Sequence, residues 1–136
     1  EISLGLVGSE MCIRDRGIMR ILGIKETDRI SKDLILELAL LFSHYARVVG
    51  AAIIEPLEVN VRKYEVTFKM IDCWEAIAHL KLYGKSDKPV CYFTRGNIAG
   101  VASRVCGVKL KAIEEKCQAK GDPYCVVRLI PISKQV

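Results

Sequence analysis

Two cysteine and two glutamate residues lie in one short stretch near the carboxyl end of this 136-residue chain. In "EEKCQAKGDPYC", residues 114–125, Cys117 and Cys125 lie eight positions apart around a Gly-Asp-Pro turn, directly after Glu114 and Glu115. These residues can form a disulfide hairpin, or they can ligate a metal ion through thiolate and carboxylate. They can also be separate core thiols, because free cysteine is a common buried residue. The spacing alone supports a metal site and buried thiols about equally.

A metal site would need ligands beyond this hairpin, because zinc prefers four ligands in a tetrahedron. Cys91 is a candidate for the third ligand, since it stands at the start of a predicted helix. The positive end of the helix dipole lowers the pKa of a thiol there. Strand alternation favours Glu115 as the fourth ligand, because it shares a face with Cys117. Glu114 faces the same way only if a β-bulge reverses the alternation.

The apolar spacing predicts an α+β fold with a mostly antiparallel sheet. A helix is expected over residues 31–49, with Ser31 as its N-cap, and the alternation in 57–73 predicts two strands or one long bent strand. Two further helices and a hairpin follow, at residues 74–83, 91–105, 108–117 and 124–132. The hairpin turn brings Cys117 and Cys125 to one end of the sheet. We expect no catalytic constellation in this arrangement.

Residues 91–125 resemble the 4-vinyl-reductase domain, the small-molecule-binding module of phenol-sensing transcriptional activators. The resemblance lies in "PVCYFTRGNIAGVAS" and "EEKCQAKGDPYC": a Cys before a helix with two glycines, then Glu, Cys and Cys in register. It implies one structural Zn²⁺ bound by Cys91, Glu114, Cys117 and Cys125, and so selects Glu114 against the alternation argument. It also implies the ligand-binding fold shared by nitric-oxide-signalling and Golgi-transport proteins. The chain departs from the family at Val127, where an aromatic residue is frequent.

The resemblance further implies an apolar ligand cavity between the helices and the sheet. Aromatic residues on these elements are its predicted lining, although each one alone is more commonly part of a core. They are Phe42, Tyr45, Phe68, Trp74 and Phe93. We therefore expect a hydrophobic or aromatic ligand, a regulatory role and a homodimer. Outside this set, we expect Cys73 and Cys106 to be core residues and His44 to be a partly buried polar residue.

Two other classes of function remain open at this point. The family takes its name from a tetrapyrrole vinyl reductase, but the chain has no Gly-rich dinucleotide motif, and a four-ligand zinc site leaves no open coordination position. The fold also resembles subunits of the TRAPP vesicle-tethering complex, which act through protein contacts. An interaction module is therefore the second alternative.

Composition and charge limit the binding partners and the cellular compartment that we expect for this domain. The chain has 51% hydrophobic and 27% charged residues and a net charge of +5, with its basic residues scattered. We therefore expect no direct nucleic-acid binding. No apolar run approaches the roughly 18 residues of a membrane span, and no export signal is evident, so we expect a cytoplasmic protein with reduced thiols. Residues 1–16 are interpreted as a non-native or disordered leader before a single domain at 17–136 whose native N-terminus is truncated.

Overall fold

The computed structural model describes residues 34–60 and 62–132. The predicted leader and the predicted cap at Ser31 lie outside these residues. The elements are α1 (Leu34–Val48), β1 (Ile53–Asn60), β2 (Glu65–Ile71), α2 (Trp74–Tyr83), α3 (Tyr92–Cys106), β3 (Leu110–Lys116) and β4 (Cys125–Pro131). A 3₁₀ turn over Gln118–Lys120 joins the last two strands. The predicted α+β class is confirmed, and the alternating segment 57–73 forms two strands.

The four strands form one antiparallel sheet in the order β1-β2-β4-β3. On β2 every second side chain is buried, at Val66, Phe68 and Met70, as the sequence alternation predicts. Helix α1 lies against β1, α3 lies against β3, and the two helices contact each other. The buried apolar side chains form one continuous core. Within residues 34–60 and 62–132, none of the helices combines the length and the hydrophobicity of a transmembrane segment.

Strand β1 begins at Ile53, earlier than the sequence pattern predicts, and it includes Pro56. Proline is tolerated at the edge of a sheet and at bulges, where its missing N–H leaves no ladder bond unmade. Both conditions hold here: β1 is an edge strand, and its register shifts between Pro56 and Glu58. The extra residue at this bulge is Leu57, whose side chain is exposed. The regular alternation predicted through Leu57 is therefore interrupted.

The first turn of α3 is fixed by a carboxylate from α2. Glu75 accepts hydrogen bonds from the N–H groups of Phe93 and Thr94, both at 2.8 Å. The first N–H groups of a helix have no partner within the helix, and a negative charge is favourable at this end. Glu75 therefore fixes the start of α3 relative to the start of α2.

We predict that Glu75→Ala lowers the free energy of unfolding by about 1–2 kcal/mol, because two N–H groups lose a charged acceptor. Urea unfolding followed by circular dichroism measures the change. Glu58→Ala, an exposed position on β1, is the matched control and should change stability by less than about 0.5 kcal/mol. Equal stability losses in the two variants would show that the capping contact contributes little.

Candidate metal centre and apolar cavity

A β-bulge in β3 decides which glutamate faces the interior. Glu114 lies opposite Val127 on β4, whereas Lys116 lies opposite the next residue, Val126. Glu115 is therefore the extra residue, and the alternation reverses at this point. Glu114 is only 6% exposed, while Glu115 forms an ion pair with Arg128 on the outer face at 2.9 Å. The structure thus places Glu114, and not Glu115, on the same face as Cys117.

Three cysteines converge on the buried Glu114 carboxylate. Cys91 directly precedes α3, Cys117 follows β3, and Cys125 begins β4. One thiol sulfur from each cysteine and one carboxylate oxygen all lie within 4.8 Å of one another, and the four side chains are buried. The sulfurs of Cys91 and Cys125 are 3.8 Å apart. All the cysteines in the described ranges are free, so the disulfide alternative is not realised in this structure.

The turn between the two strands is held by its own polar groups. Gly121 has a φ of 101°, a conformation that glycine adopts without a Cβ penalty. The Asp122 carboxylate accepts a hydrogen bond from the N–H of Cys117 at 2.9 Å. The Gly-Asp pair of the sequence motif therefore sets the direction in which Cys117 leaves β3. This Gly-Asp pair positions Cys117 and is not part of the ligand set.

Backbone N–H groups surround the cluster and favour its negative charge. The N–H of Cys91 donates to Glu114 Oε2 at 3.1 Å, and the N–H of Gln118 donates to Cys125 Sγ at 3.2 Å. Hydrogen bonds donated to a thiolate or a carboxylate stabilise it over its protonated form. These N–H groups therefore favour the ionised forms of the buried thiol and carboxylate side chains.

The pKa values of the cluster thiols are shifted by hydrogen bonds and by burial. The hydrogen bond with Cys91 lowers the pKa of the Cys125 thiol, and the same contact is the main cause that raises the pKa of Cys91. Burial raises the pKa of Cys117 to about 11, while hydrogen bonds from the backbone of Val90 and Ala119 act in the opposite direction. A metal ion binds thiolates and releases the thiol protons.

The residues present fit a divalent cation. Glu114 Oε1 is buried and has no hydrogen-bond partner, an arrangement that is costly for a carboxylate unless something compensates it. A second group, Cys73, Glu75 and Cys91, has similar geometry. There, however, both Glu75 oxygens already accept N–H groups of α3. The unpartnered oxygen therefore favours the cluster around Glu114.

A cavity of about 300 Å³ lies between α1, the start of α2 and α3. Four of the five predicted pocket residues line it. They are Phe42, Tyr45, Trp74 and Phe93. Phe68 does not line this cavity: it is 2% exposed, on the inner face of β2, where it contributes to the core below. Phe42 belongs to both the cavity wall and the core, because it lines the cavity and is only 6% exposed.

Sequence reasoning missed the α3 residues that complete the cavity wall. Thr94, Asn97 and Ile98 face it together with Phe93. Their three- and four-residue spacing puts them on one helix face, and this spacing was the available signal. Small residues complete the opposite wall at the end of α1 and before β1, among them Ala46 and Ala51.

Half-exposed aromatic rings form the rim of the cavity. Trp74 and Phe93 are 47% and 51% exposed, and their rings meet edge to face with centroids 6.2 Å apart. Behind them, the Thr94 hydroxyl lies 3.7 Å from the Cys73 sulfur. Because Cys91 of the cluster directly precedes α3, the first turn of this helix connects the cysteine cluster to the cavity wall.

The remaining candidates lie outside the proposed ligand set. Cys73 lies next to the cluster, with its sulfur within 4.8 Å of the Cys91 sulfur. Cys73 is fully buried, and Cys106 packs half-buried against the core, where burial raises its pKa to about 11. The prediction that His44 is partly buried was wrong: its position on α1 faces solvent. His79 packs its ring against Tyr83 with centroids 5.3 Å apart.

A protein-family model, that of the 4-vinyl-reductase domain, matches residues 70–131. These residues form a domain of that family. The resemblance found in the two sequence motifs is thereby confirmed, and the matched segment contains all four residues of the cluster.

Two curated relatives match parts of the chain. The phenol regulator MopR of Acinetobacter guillouiae is 31% identical over 78 residues, which are 57% of this chain and 14% of that protein. The uncharacterised protein MJ0855 of Methanocaldococcus jannaschii is 46% identical over 43 residues, 30% of this chain and 19% of that protein. The matched segments therefore span less than a fifth of either relative's length.

Solved structures share the fold of this chain. The phenol-responsive sensory domain of the transcription activator PoxR, solved with phenol, superposes with a TM-score of 0.64 at 19% identity, covering 94% of this chain and 75% of that one. Trafficking protein particle complex subunit 3 from Naegleria fowleri, covalently bound to palmitic acid, gives a TM-score of 0.58 at 14% identity, covering 94% and 76%. Both similarities support the expected fold.

We predict that the cluster binds one divalent metal ion per chain and that Glu114 is a ligand. Glu114→Gln should release most of the metal, because a neutral amide is a much weaker ligand than a carboxylate. Glu115→Gln should retain it, since this side chain pairs with Arg128 on the outer face. Elemental analysis of protein purified under reducing conditions without chelator measures the content. Metal retained in the first variant and lost in the second would reverse the assignment.

Proposed function

We propose that this 4-vinyl-reductase domain binds a small hydrophobic or aromatic molecule in the cavity and has a regulatory role. The observation that carries the proposal is the cavity of about 300 Å³ itself, whose wall is apolar and aromatic with a few polar groups. Ligand sites in proteins have this composition, and this volume is at the lower end of their range. The similarity to a phenol regulator and to a phenol-responsive sensory domain supports the same class of ligand.

We propose further that the metal is zinc and that its role is structural. Tetrahedral zinc with Zn–S bonds of about 2.3 Å places two sulfurs roughly 3.8 Å apart, and the sulfurs of Cys91 and Cys125 are 3.8 Å apart. Three thiolates and a carboxylate fill the four positions that zinc prefers, so the ion would supply a cross-link rather than a reactive site. Cys91, Glu114, Cys117 and Cys125 would hold it.

The cross-link would join distant parts of the chain. Cys91 stands at the start of α3, whereas the other three ligands lie on the β3–β4 hairpin more than twenty residues later. Such a site does not exist in the unfolded chain, so metal binding adds to the free energy of folding. We place this domain in the reducing cytoplasm, where thiolates remain available for zinc.

We also propose that the domain is a homodimer. Helix α1 and the turn after it expose the apolar side chains of Leu40, Val48 and Val49, which are 56%, 71% and 52% exposed. Exposed apolar surface of this kind supports an interaction role for α1. The output of ligand binding would then reach a partner or a further segment, because MopR is about seven times longer than the matched region.

Cys117→Ser should lower the melting temperature by more than about 10 °C, or leave the protein insoluble, because the hairpin loses its link to α3. Cys106→Ser, outside the cluster, is the matched control and should shift melting by only a few degrees. Differential scanning calorimetry of zinc-loaded proteins compares them. A folded Cys117→Ser protein with unchanged melting would contradict the structural role.

A thermal-shift screen of neutral aromatics, fatty acids and isoprenoids should find a class that stabilises the protein. A ligand at roughly 1,000 times its Kd adds about 4 kcal/mol to the free energy of unfolding. Ala46→Phe is the matched variant, because its ring would fill the cavity and abolish the shift. If no compound stabilises the wild-type protein, the ligand-binding proposal fails and a TRAPP-like interaction module takes its place.

A further inference from the structure

Cys73 is a thiol beside the cluster that the proposed ligand set does not use. Five cysteines lie in the described ranges, and three of them belong to the cluster. Of the other two, Cys106 is at the far end of α3 from Cys91, whereas the Cys73 sulfur lies within 4.8 Å of the Cys91 sulfur. A zinc ion with four ligands has no position for a fifth. The Cys73 thiol therefore stays unliganded next to a zinc ligand.

The backbone holds Cys73 and Cys91 close together. Cys73 directly precedes α2, and Cys91 directly precedes α3. The Glu75 carboxylate of α2 accepts two N–H groups of the first turn of α3, which fixes the two helix starts relative to each other. The N–H of Cys73 also donates to Gln118 Oε1 at 3.3 Å. A disulfide between Cys73 and Cys91 would thus join two segments that are already in contact, as disulfide geometry requires.

A second pair of thiols competes with this one. The sulfurs of Cys91 and Cys125 are 3.8 Å apart, and both residues belong to the proposed ligand set. A disulfide between them would remove two thiolates from the zinc ion, whereas a disulfide between Cys73 and Cys91 removes only one. Cys125 Sγ is further held by the N–H of Gln118 at 3.2 Å. With zinc bound, the pair that includes Cys73 is therefore favoured.

We propose that Cys73 and Cys91 form a redox switch of the metal centre. The inference rests on the proposed structural zinc and deepens it. The oxidant is a peroxide, which would reach the buried pair past Thr94, a residue that lines the cavity and lies 3.7 Å from the Cys73 sulfur. Disulfides of cytosolic proteins are usually transient and serve such sensing roles.

The chemistry of the switch balances with hydrogen peroxide as the oxidant. The two sulfurs each give up one electron and form an S–S bond, and the O–O bond of the peroxide breaks. The Cys73 thiol supplies one proton and solvent supplies a second, so that two molecules of water leave. Cys91 is then no longer a thiolate, and the zinc ion keeps only three protein ligands. Its affinity falls and it dissociates.

Oxidation therefore exchanges one cross-link for another. In the reduced chain, zinc joins the start of α3 to the β3–β4 hairpin. In the oxidised chain, the disulfide joins the start of α3 to the start of α2, and the hairpin loses its link. The turn of α3 that follows Cys91 carries Phe93 and Thr94 on the cavity wall. The redox state would thus change how this part of the wall is held.

Hydrogen peroxide added in small excess to the full zinc-loaded chain tests the switch. A chelating dye measures zinc release, and peptide mapping after alkylation identifies the linked cysteines. We expect zinc release together with a Cys73–Cys91 disulfide, and recovery of zinc binding after dithiothreitol. A disulfide between Cys91 and Cys125, irreversible sulfinic acid in place of a disulfide, or no release would overturn the inference and leave the structural zinc intact. A reduced chain without zinc would overturn both.

Variants at Cys73 give the decisive comparison. Cys73→Ser should keep its full zinc content under reducing conditions, because Cys73 is not a ligand, and should lose the reversible release by peroxide. Cys73→Ala serves the same purpose if the serine variant does not fold, and the melting temperature of each reduced protein checks this. Cys106→Ser is the matched control and should release zinc like the wild-type chain. Release from Cys73→Ser at the wild-type rate would refute the switch, and loss of zinc from its reduced form would show that Cys73 is itself a ligand.

Discussion

One extra residue in β3 sets the geometry on which the cluster depends. A regular strand would turn Glu114 away from Cys117 and out of the interior. The bulge at Glu115 turns Glu114 inward and leaves Glu115 paired with Arg128. The interior thereby gains a carboxylate among three thiols, whose ionised forms are costly to bury and are stabilised by a bound cation.

The start of α3 is where the two sites meet. Cys91 brings its thiol to the cluster, the N–H groups of Phe93 and Thr94 donate to Glu75, and the same turn presents both side chains to the cavity. The hairpin turn is tied to this region as well, since Gln118 accepts the N–H of Cys73 at 3.3 Å. A change at either site therefore acts on the same few backbone groups. On the proposed function, ligand binding and metal binding would therefore change each other's free energy through these groups.

Much of this architecture could be predicted from the sequence, and the exceptions have physical reasons. The alternation in β2 and the spacing of apolar residues in the helices predicted which side chains are buried. The cysteines predicted thiolate chemistry. The bulge at Glu115 was not predictable from alternation, because a bulge breaks the period that the argument uses; only the family register selected Glu114. Pro56 within β1 was missed because proline signals a break unless the strand is known to be an edge. The wall residue Asn97 was missed because only aromatic side chains were considered as lining, although its spacing from Phe93 and Thr94 places it on the same helix face.

We propose that three thiolates and the Glu114 carboxylate hold a zinc ion at the start of α3. X-ray absorption at the zinc edge distinguishes these ligands, because sulfur and oxygen scatter differently and lie at different distances. We predict three sulfurs at about 2.3 Å and one oxygen at about 2.0 Å. A shell of four sulfurs would show that Cys73 takes the place of Glu114, and a shell of oxygen and nitrogen alone would show that the cysteine cluster does not bind the metal.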